Sequence, residues 1–198
     1  MILAFFILML IVIEGIDGTG KGTQIQMLTK SIPSAVFVKY PTPKFDILSR
    51  YLEKKLNLSK KSVFLTFLAD IADDQPRIHQ LLKEGKTVIM DRYVLSTIAY
   101  ELDEFGQEKA RRMVSELDLI KPDKIILLDI EIDQAMKRKA NQKSPDRYEE
   151  DKKHLIKVRE RFGDLYKERF LSTNWHRVDA SRTIEQVHLD IMSLIGRK

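Results

Sequence analysis

With 198 residues, the chain (1–198) is sized for a single domain around one buried core. An apolar content of 43% and a charged content of 32% fit a globular protein rather than a disordered or fibrous one. The lack of cysteine excludes disulfides, thiolate metal sites and cysteine nucleophiles, and the net charge of +5 suits an anionic ligand without choosing nucleotide over nucleic acid.

The stretch from Met1 to Ile13 carries no charge. A membrane span needs about 20 such residues, and a signal peptide needs a basic start and a small-residue cleavage site. The run instead flows into a glycine-rich turn. It therefore reads as a first strand buried on both faces, as in a parallel sheet, with Met9 as an alternative start and residues 1–8 as an extension. No membrane association is expected.

The turn is Gly15-Ile16-Asp17-Gly18-Thr19-Gly20-Lys21-Gly22-Thr23, with a helix expected from Lys21. Successive backbone N–H groups in such a turn point into one hollow and bind polyphosphate oxygens, and Lys21 can reach the β- and γ-phosphates. Glycine is needed where the turn takes positive φ and the phosphate approaches the backbone closely. A nucleoside triphosphate is the expected ligand. The residue after the lysine is Gly22, so the customary hydroxyl ligand to Mg²⁺ is missing. The metal would then rest on phosphate oxygens, water and a carboxylate elsewhere, with Thr23 placed to hydrogen-bond a phosphate oxygen.

Further apolar runs with strand character lie at Ala35–Val38, Thr87–Met90, Lys124–Leu128 and His176–Val178. Helical patterns separate them, at about 21–31, 44–57, 59–84, 95–118, 133–140, 147–170 and 183–196. Alternation of this kind predicts an α/β three-layer sandwich, a five-stranded parallel sheet with helices on both faces. Ligands in such sheets bind beyond the carboxyl ends of the strands. That singles out Gly15–Thr23, Tyr40 to Lys44, Asp91-Arg92-Tyr93, Asp129, and Asp179-Ala180-Ser181. Leu155, Val158, Phe162 and Leu165 recur at three- and four-residue spacing, an ordinary core stripe. The polar, basic segment 139–147 is either a mobile lid over phosphates or a plain helix–helix loop. Thr87 to Asp91 is a strand ending in a carboxylate, where Asp91 can hold Mg²⁺ through water and Arg92 can fork onto a phosphate. No lysine/arginine block with interleaved aromatics favours nucleic acid.

Taken together, Glu14 to Lys21, Asp91-Arg-Tyr-Val-Leu-Ser-Thr-Ile-Ala-Tyr100, Pro122-Asp, Leu128-Asp129, Arg138, Asp146-Arg-Tyr-Glu149 and Val178 to Ser181 resemble the thymidylate kinases of the P-loop nucleoside monophosphate kinase group. The resemblance covers nearly the whole chain in order. It implies transfer of the γ-phosphate of ATP to dTMP with Mg²⁺, in a cytoplasmic homodimer. It also implies that Asp17 binds the acceptor's 3′-hydroxyl, Arg92 bridges donor and acceptor phosphates, Tyr100 presses on the sugar's 2′ carbon and Phe67 stacks on the base. Tyr40, Lys44, Ile71 and Ser96 complete the expected acceptor site. Arg138, Ala180 and Ser181 would flank adenine, and Lys143 and Arg147 would supply lid cations, because position 18 is glycine rather than arginine.

The chain also departs from that family. Ile71 stands where an arginine usually reads the thymine carbonyl, and Thr42, Pro43 and Lys44 stand where an arginine usually holds the acceptor phosphate. Glu101 replaces a usual glutamine, and Gly22-Thr23 is the adenylate-kinase form. An apolar wall discriminates bases weakly, so relaxed acceptor selectivity is expected. A kinase of another monophosphate or of a nucleoside, a non-catalytic nucleotide switch, and an ATP-using nucleic-acid binder are the alternative readings.

Overall fold

The computed structural model describes residues 9–101, 106–140 and 151–196. Five strands, β1 (Leu10–Glu14), β2 (Ala35–Lys39), β3 (Thr87–Asp91), β4 (Lys124–Asp129) and β5 (Trp175–Asp179), form one parallel sheet in the order β2-β3-β1-β4-β5. β1 lies at the centre, and its Leu10, Ile11, Val12 and Ile13 are wholly buried. Each such aliphatic side chain contributes roughly 1.5–3 kcal/mol by leaving water. The apolar run thus follows from the central place of β1, and the expected extension over residues 1–8 lies outside the described residues.

The helices are α1 (Lys21–Ser31), α2 (Asp46–Leu52), α3 (Lys60–Lys83), α4 (Val94–Glu101), α5 (Gln107–Glu116), α6 (Ile132–Ala140), α7 (Lys152–Lys167) and α8 (Ile184–Gly196). α1 packs with α8; α3, α5 and α7 pack around α4. The strand ends that carry the turn after β1 point to the sheet's switch point, since the chain leaves β1 for β2 and β3 on one side and reaches β4 and β5 on the other.

Three predicted helices are shorter or broken. The pattern over 95–118 is split into α4 and α5, because Gly106 takes φ 74° and caps a new helix. The pattern over 44–57 contains a tight turn at Pro43–Phe45 and then α2, which stops before Lys54 at φ 62°. α7 starts at Lys152, where the Asp151 carboxylate accepts from His154 N at 3.0 Å, and it stops before Arg169 turns left-handed at φ 53°. The stripe Leu155, Val158, Phe162 and Leu165 is buried as expected. In α3, the side chains of Val63, Phe64, Leu68 and Ile71 are all buried within the chain itself, which accounts for the apolar character of that helix.

Candidate active site

A cleft of about 840 Å³ runs across the carboxyl ends of the strands. Its floor is the turn after β1. A Cβ at Gly15 would meet the Leu128 carbonyl oxygen at 2.4 Å, and one at Gly18 would meet the Ala135 carbonyl oxygen at 2.4 Å, both at positive φ. The turn is thus packed against β4 and α6, and position 18 has no room for a longer residue. At Gly22, by contrast, no described residue outside the local helix backbone lies within 4 Å of the place a Cβ would occupy.

Lys21 sits at the first position of α1, 7% exposed, and its ammonium curls back onto the turn. Nζ donates to the carbonyl oxygens of Gly15 and Ile16, each at 2.9 Å, and lies 3.9 Å from Asp17 Oδ1. Burial, aided by nearby Arg92, pulls its pKa down to about 8, against the pull of Asp17, Asp91 and Glu14. Incoming phosphates would exchange weak carbonyl partners for charged ones.

Arg92 leaves β3 in a left-handed conformation, φ 69°, with its N–H held by the Ile13 carbonyl at 3.1 Å. Such an outlier in a non-glycine residue persists only where its surroundings enforce it. Nη2 donates to Asp17 Oδ1 at 2.5 Å and Nη1 to Ser96 Oγ at 3.0 Å, while the guanidinium lies 5.0 Å from the centre of the Tyr100 ring. Tyr100 donates its hydroxyl to Asp17 Oδ2 at 3.0 Å. Burial works against the Asp17 charge, yet Arg92 and Lys21 overcome it and hold the carboxyl well below its usual range.

Beneath this lies Glu14, whose role the sequence reading missed. It is wholly buried, and it accepts from Tyr93 N at 2.9 Å, Ser96 N at 3.3 Å and Ser96 Oγ at 2.6 Å. Burial pushes its pKa up to about 7, although the Ser96 bond and Arg92 oppose the shift. Glu14 ties the end of β1 to the start of α4 and thereby orients Arg92. A lone acid ending the apolar strand Leu10–Glu14 was the available signal.

One end of the cleft is lined by Lys39, Tyr40, Pro41, Leu52, Phe67, Ser96, Thr97 and Tyr100, the other by Gln24, Arg138, Ala180, Arg182, Thr183, Ile184 and Val187. Lys39, Leu52, Gln24, Arg182, Thr183, Ile184 and Val187 were not singled out by sequence, and Thr97 only as part of the stretch Asp91–Tyr100; Lys39 and Gln24 lie beside motif residues and carried a positional signal. Asp17, Gly18, Thr19, Gly20, Lys21, Gly22, Thr23, Asp91 and Arg92 line its middle. Gly15 and Ile16 contribute carbonyls behind Lys21 rather than cleft wall.

Three expected site residues sit elsewhere. Lys44 lies on the exposed turn before α2, and its ammonium pairs with Asp73 at 2.5 Å. Ile71 is a wholly buried core residue of α3 and does not line the cleft. Ser181 faces a shallower recess, of about 490 Å³, with Asp129, Glu131, Arg159 and Arg177. There Asp129 is held by Arg159, at 2.8 and 3.0 Å, and by Arg177. The loop from Tyr40 to Thr42 is braced by α3: Asp70 accepts from Thr42 N at 2.8 Å and Thr42 Oγ1 at 2.6 Å, and Asp74 accepts from Tyr40 at 3.0 Å. Lys143 and Arg147 lie outside the described residues.

Among the described residues, no group of three or more histidine or carboxylate side chains converges on a metal position. Asp91, 8% exposed, does offer a buried Oδ1 with no hydrogen-bond partner among the described residues. That donor set fits a Mg²⁺ ion held chiefly by phosphates and water, with one carboxylate from the protein. No helix among the described residues is long and apolar enough to cross a membrane.

The family model for thymidylate kinase matches residues 13–191 of the chain. Thymidylate kinase from Danio rerio is 36% identical over 192 residues, covering 93% of this chain and 88% of the relative. The thymidylate kinase of Homo sapiens is 34% identical over 194 residues, covering 93% and 88%. A solved structure of thymidylate kinase from Candida albicans, described as revealing the origin of broad substrate specificity, superposes with a TM-score of 0.77. It is 28% identical and covers 94% of this chain and 90% of that one.

Proposed function

The chain belongs to the thymidylate kinase family and is an ATP-dependent nucleoside monophosphate kinase; we propose that it transfers the γ-phosphate of ATP to dTMP within the cleft over Lys21 and Arg92. The observation that carries this reading is the two-ended cleft itself. A triphosphate turn and the cations Lys21 and Arg92 stand in its middle, with an aromatic chamber on one side and, on the other, a slot that combines Ala180, Ile184 and Val187 with polar and basic side chains.

In this reading ATP lies with its base between Arg138 and Ala180 and its phosphates on the turn from Asp17 to Thr23. The acceptor lies toward Phe67 and Tyr40. Its phosphate has a second pKa near 6, so it is ionised at pH 7 and needs no general base. The protein's task is to hold two polyanions in line and neutralise the transferred group. Lys21 swings from the Gly15 and Ile16 carbonyls to the β- and γ-phosphates. Arg92, fixed by Asp17 and Ser96, spans the two phosphates. Asp17 and Tyr100 together meet the acceptor sugar. Mg²⁺, when bound, would be held in part by Asp91 and would supply charge neutralisation on the polyphosphate. The closed packing of Gly18 on α6 leaves no room for an arginine at that position, and further cations would come from Lys143 and Arg147.

Relaxed acceptor selectivity is a second reading. The chamber wall holds Leu52 and Phe67, and Ile71 stays in the core, so the base meets a mainly apolar surface. A cytoplasmic homodimer completes the proposal, and sedimentation would test the dimer; Leu65 on α3 is 47% exposed and available to a partner copy.

Lys21→Met tests the transfer reading. Turnover should fall by at least about a hundredfold with the thermal midpoint and circular dichroism of the folded protein retained. Near-normal turnover would overturn it.

A further inference from the structure

The acceptor end of the cleft holds a cation that the phosphate-transfer reading does not use. The cations lining the cleft are Lys21, Lys39, Arg92, Arg138, Lys139 and Arg182. Lys21 leans on the Gly15 and Ile16 carbonyls, Arg92 is held by Asp17 and Ser96, and Arg182 pairs with Asp190. Arg138 and Lys139 end α6, which follows β4 on the far side of β1. Lys44 is tied to Asp73 outside the cleft. Lys39 is exposed, and its ammonium makes no hydrogen bond or ion pair with any of the described residues. Its place in the sheet sets it beside Arg92. Lys39 ends β2 in register with Asp91, the last residue of β3, and Arg92 follows directly. Neighbouring strands lie about 4.8 Å apart, so an ammonium on a flexible four-carbon stem reaches the space over Arg92.

We propose that Lys39 holds the phosphate of the acceptor nucleotide, its ammonium on one terminal oxygen while Arg92 takes another. The inference rests on the reading of the chamber at Tyr40 and Phe67 as the monophosphate site. The acceptor phosphate is close to a dianion at pH 7. Arg92 alone does not balance it, because the same guanidinium spans the transferred group and is paired with Asp17. Lys39 supplies the second charge from the adjoining strand end. Being exposed, it carries no burial penalty in the free protein, and on binding it exchanges water for a charged oxygen. The ammonium is a point charge with three rotatable donors, so it needs no fixed two-point geometry to meet the phosphate. A nucleoside leaves it without a partner. Lys39 therefore adds affinity only to a phosphorylated acceptor, which favours a monophosphate over a nucleoside in this chamber.

The test measures equilibrium binding of dTMP, and inhibition by thymidine, which has the same base and sugar without the phosphate. The wild-type protein is compared with Lys39→Met and Lys39→Arg. In Lys39→Met the Kd for dTMP should rise at least about tenfold, the scale of a charge-assisted hydrogen bond. Its inhibition constant for thymidine and its Kd for ATP should stay within about twofold of the wild-type values, since neither ligand places a phosphate there. Lys39→Arg keeps the charge and should restore most of the affinity for dTMP. In turnover, KM for dTMP should rise by more than kcat falls. Unchanged dTMP affinity in Lys39→Met would overturn the proposal. So would an equal loss for dTMP and thymidine, which would make Lys39 a support of the chamber wall and not a phosphate ligand. Failure of the wild-type protein to bind dTMP or any other deoxynucleoside monophosphate would overturn the acceptor-site reading itself, a distinct result.

Discussion

Arg92 and Asp17 stand 75 positions apart in the chain, yet the arginine's Nη2 donates to the aspartate's Oδ1 at 2.5 Å. The bond joins the turn after β1 to the end of β3, the two strands that flank the switch point. Both side chains are mostly buried, at 20% and 16% exposed. Removing one partner of such a pair leaves an uncompensated charge, a far larger penalty than the pair's net worth. Arg92→Leu should lower stability by about 3–5 kcal/mol. Arg92→Leu combined with Asp17→Leu should be less destabilised than the sum of the two singles by at least about 1 kcal/mol. Denaturant unfolding of the four proteins measures this; strict additivity would show that the two charges do not depend on each other.

The fold was largely legible because strong local signals and tertiary context agree. Leu10 to Ile13 could only be buried on both faces, and the alternation of strands and helices left a parallel sheet as the simplest arrangement. Gly106 and Lys54 were harder: each breaks a helix by taking positive φ, which hydrophobic periodicity does not register. In the site, residues whose chemistry requires their position, such as Lys21, Asp91 and Arg92, could be placed from sequence. Lys44 and Ile71 could not, because their placement depends on which way a turn and a helix face. Lys44 has Asp73 within reach, and Ile71 gains more from the core than from a cleft wall. Glu14 was missed because its role depends on partners 79 and 82 residues away.

Two buried groups give the ligand-free protein a pH signature. Glu14 is raised from 4.5 to about 7, so the folded protein holds its proton more tightly than the unfolded chain. Its contribution to stability is present in full below pH 4.5 and is lost as pH rises to about 7. Lys21 is lowered from 10.5 to about 8, so its contribution is absent below pH 8 and grows as pH rises toward 10.5. Between pH 5 and 8 the thermal midpoint of the wild type should therefore fall relative to that of Glu14→Gln, because only the wild type loses stability through this carboxyl. A difference that stays constant with pH would rule out its titration.

The same depression of Lys21 predicts proton uptake on binding. At pH 8.5 much of the lysine is neutral in the free protein, and the phosphates of ATP would restore its charge. Calorimetric titrations in buffers of different ionisation enthalpy should show uptake of more than about half a proton, abolished in Lys21→Met. Binding with no proton exchange, or exchange that survives the substitution, would contradict the account of Lys21.

Gly18 and Gly22 should respond in opposite ways to a side chain. Gly18→Ala drives a methyl into the Ala135 carbonyl at positive φ, and should cost at least about 2 kcal/mol. Gly22→Ser enters open space at the start of α1 and should raise stability by up to about 0.5 kcal/mol. It also supplies the hydroxyl that the turn lacks, so the Mg²⁺ concentration for half-maximal activity should fall. Thermal unfolding and a magnesium titration check both parts; a destabilised Gly22→Ser would show that the space beside α1 is not open.

The central claim is phosphoryl transfer from ATP to dTMP across one cleft. ADP release with ATP and Mg²⁺, measured against dTMP, dUMP, dCMP, dAMP, dGMP, UMP and AMP, tests it most directly. The account predicts formation of dTDP with dTMP as the leading acceptor, and lower rates on other deoxynucleotides that reflect the apolar chamber around Phe67. Absence of ADP release with every acceptor, in a folded protein that binds ATP, would contradict it.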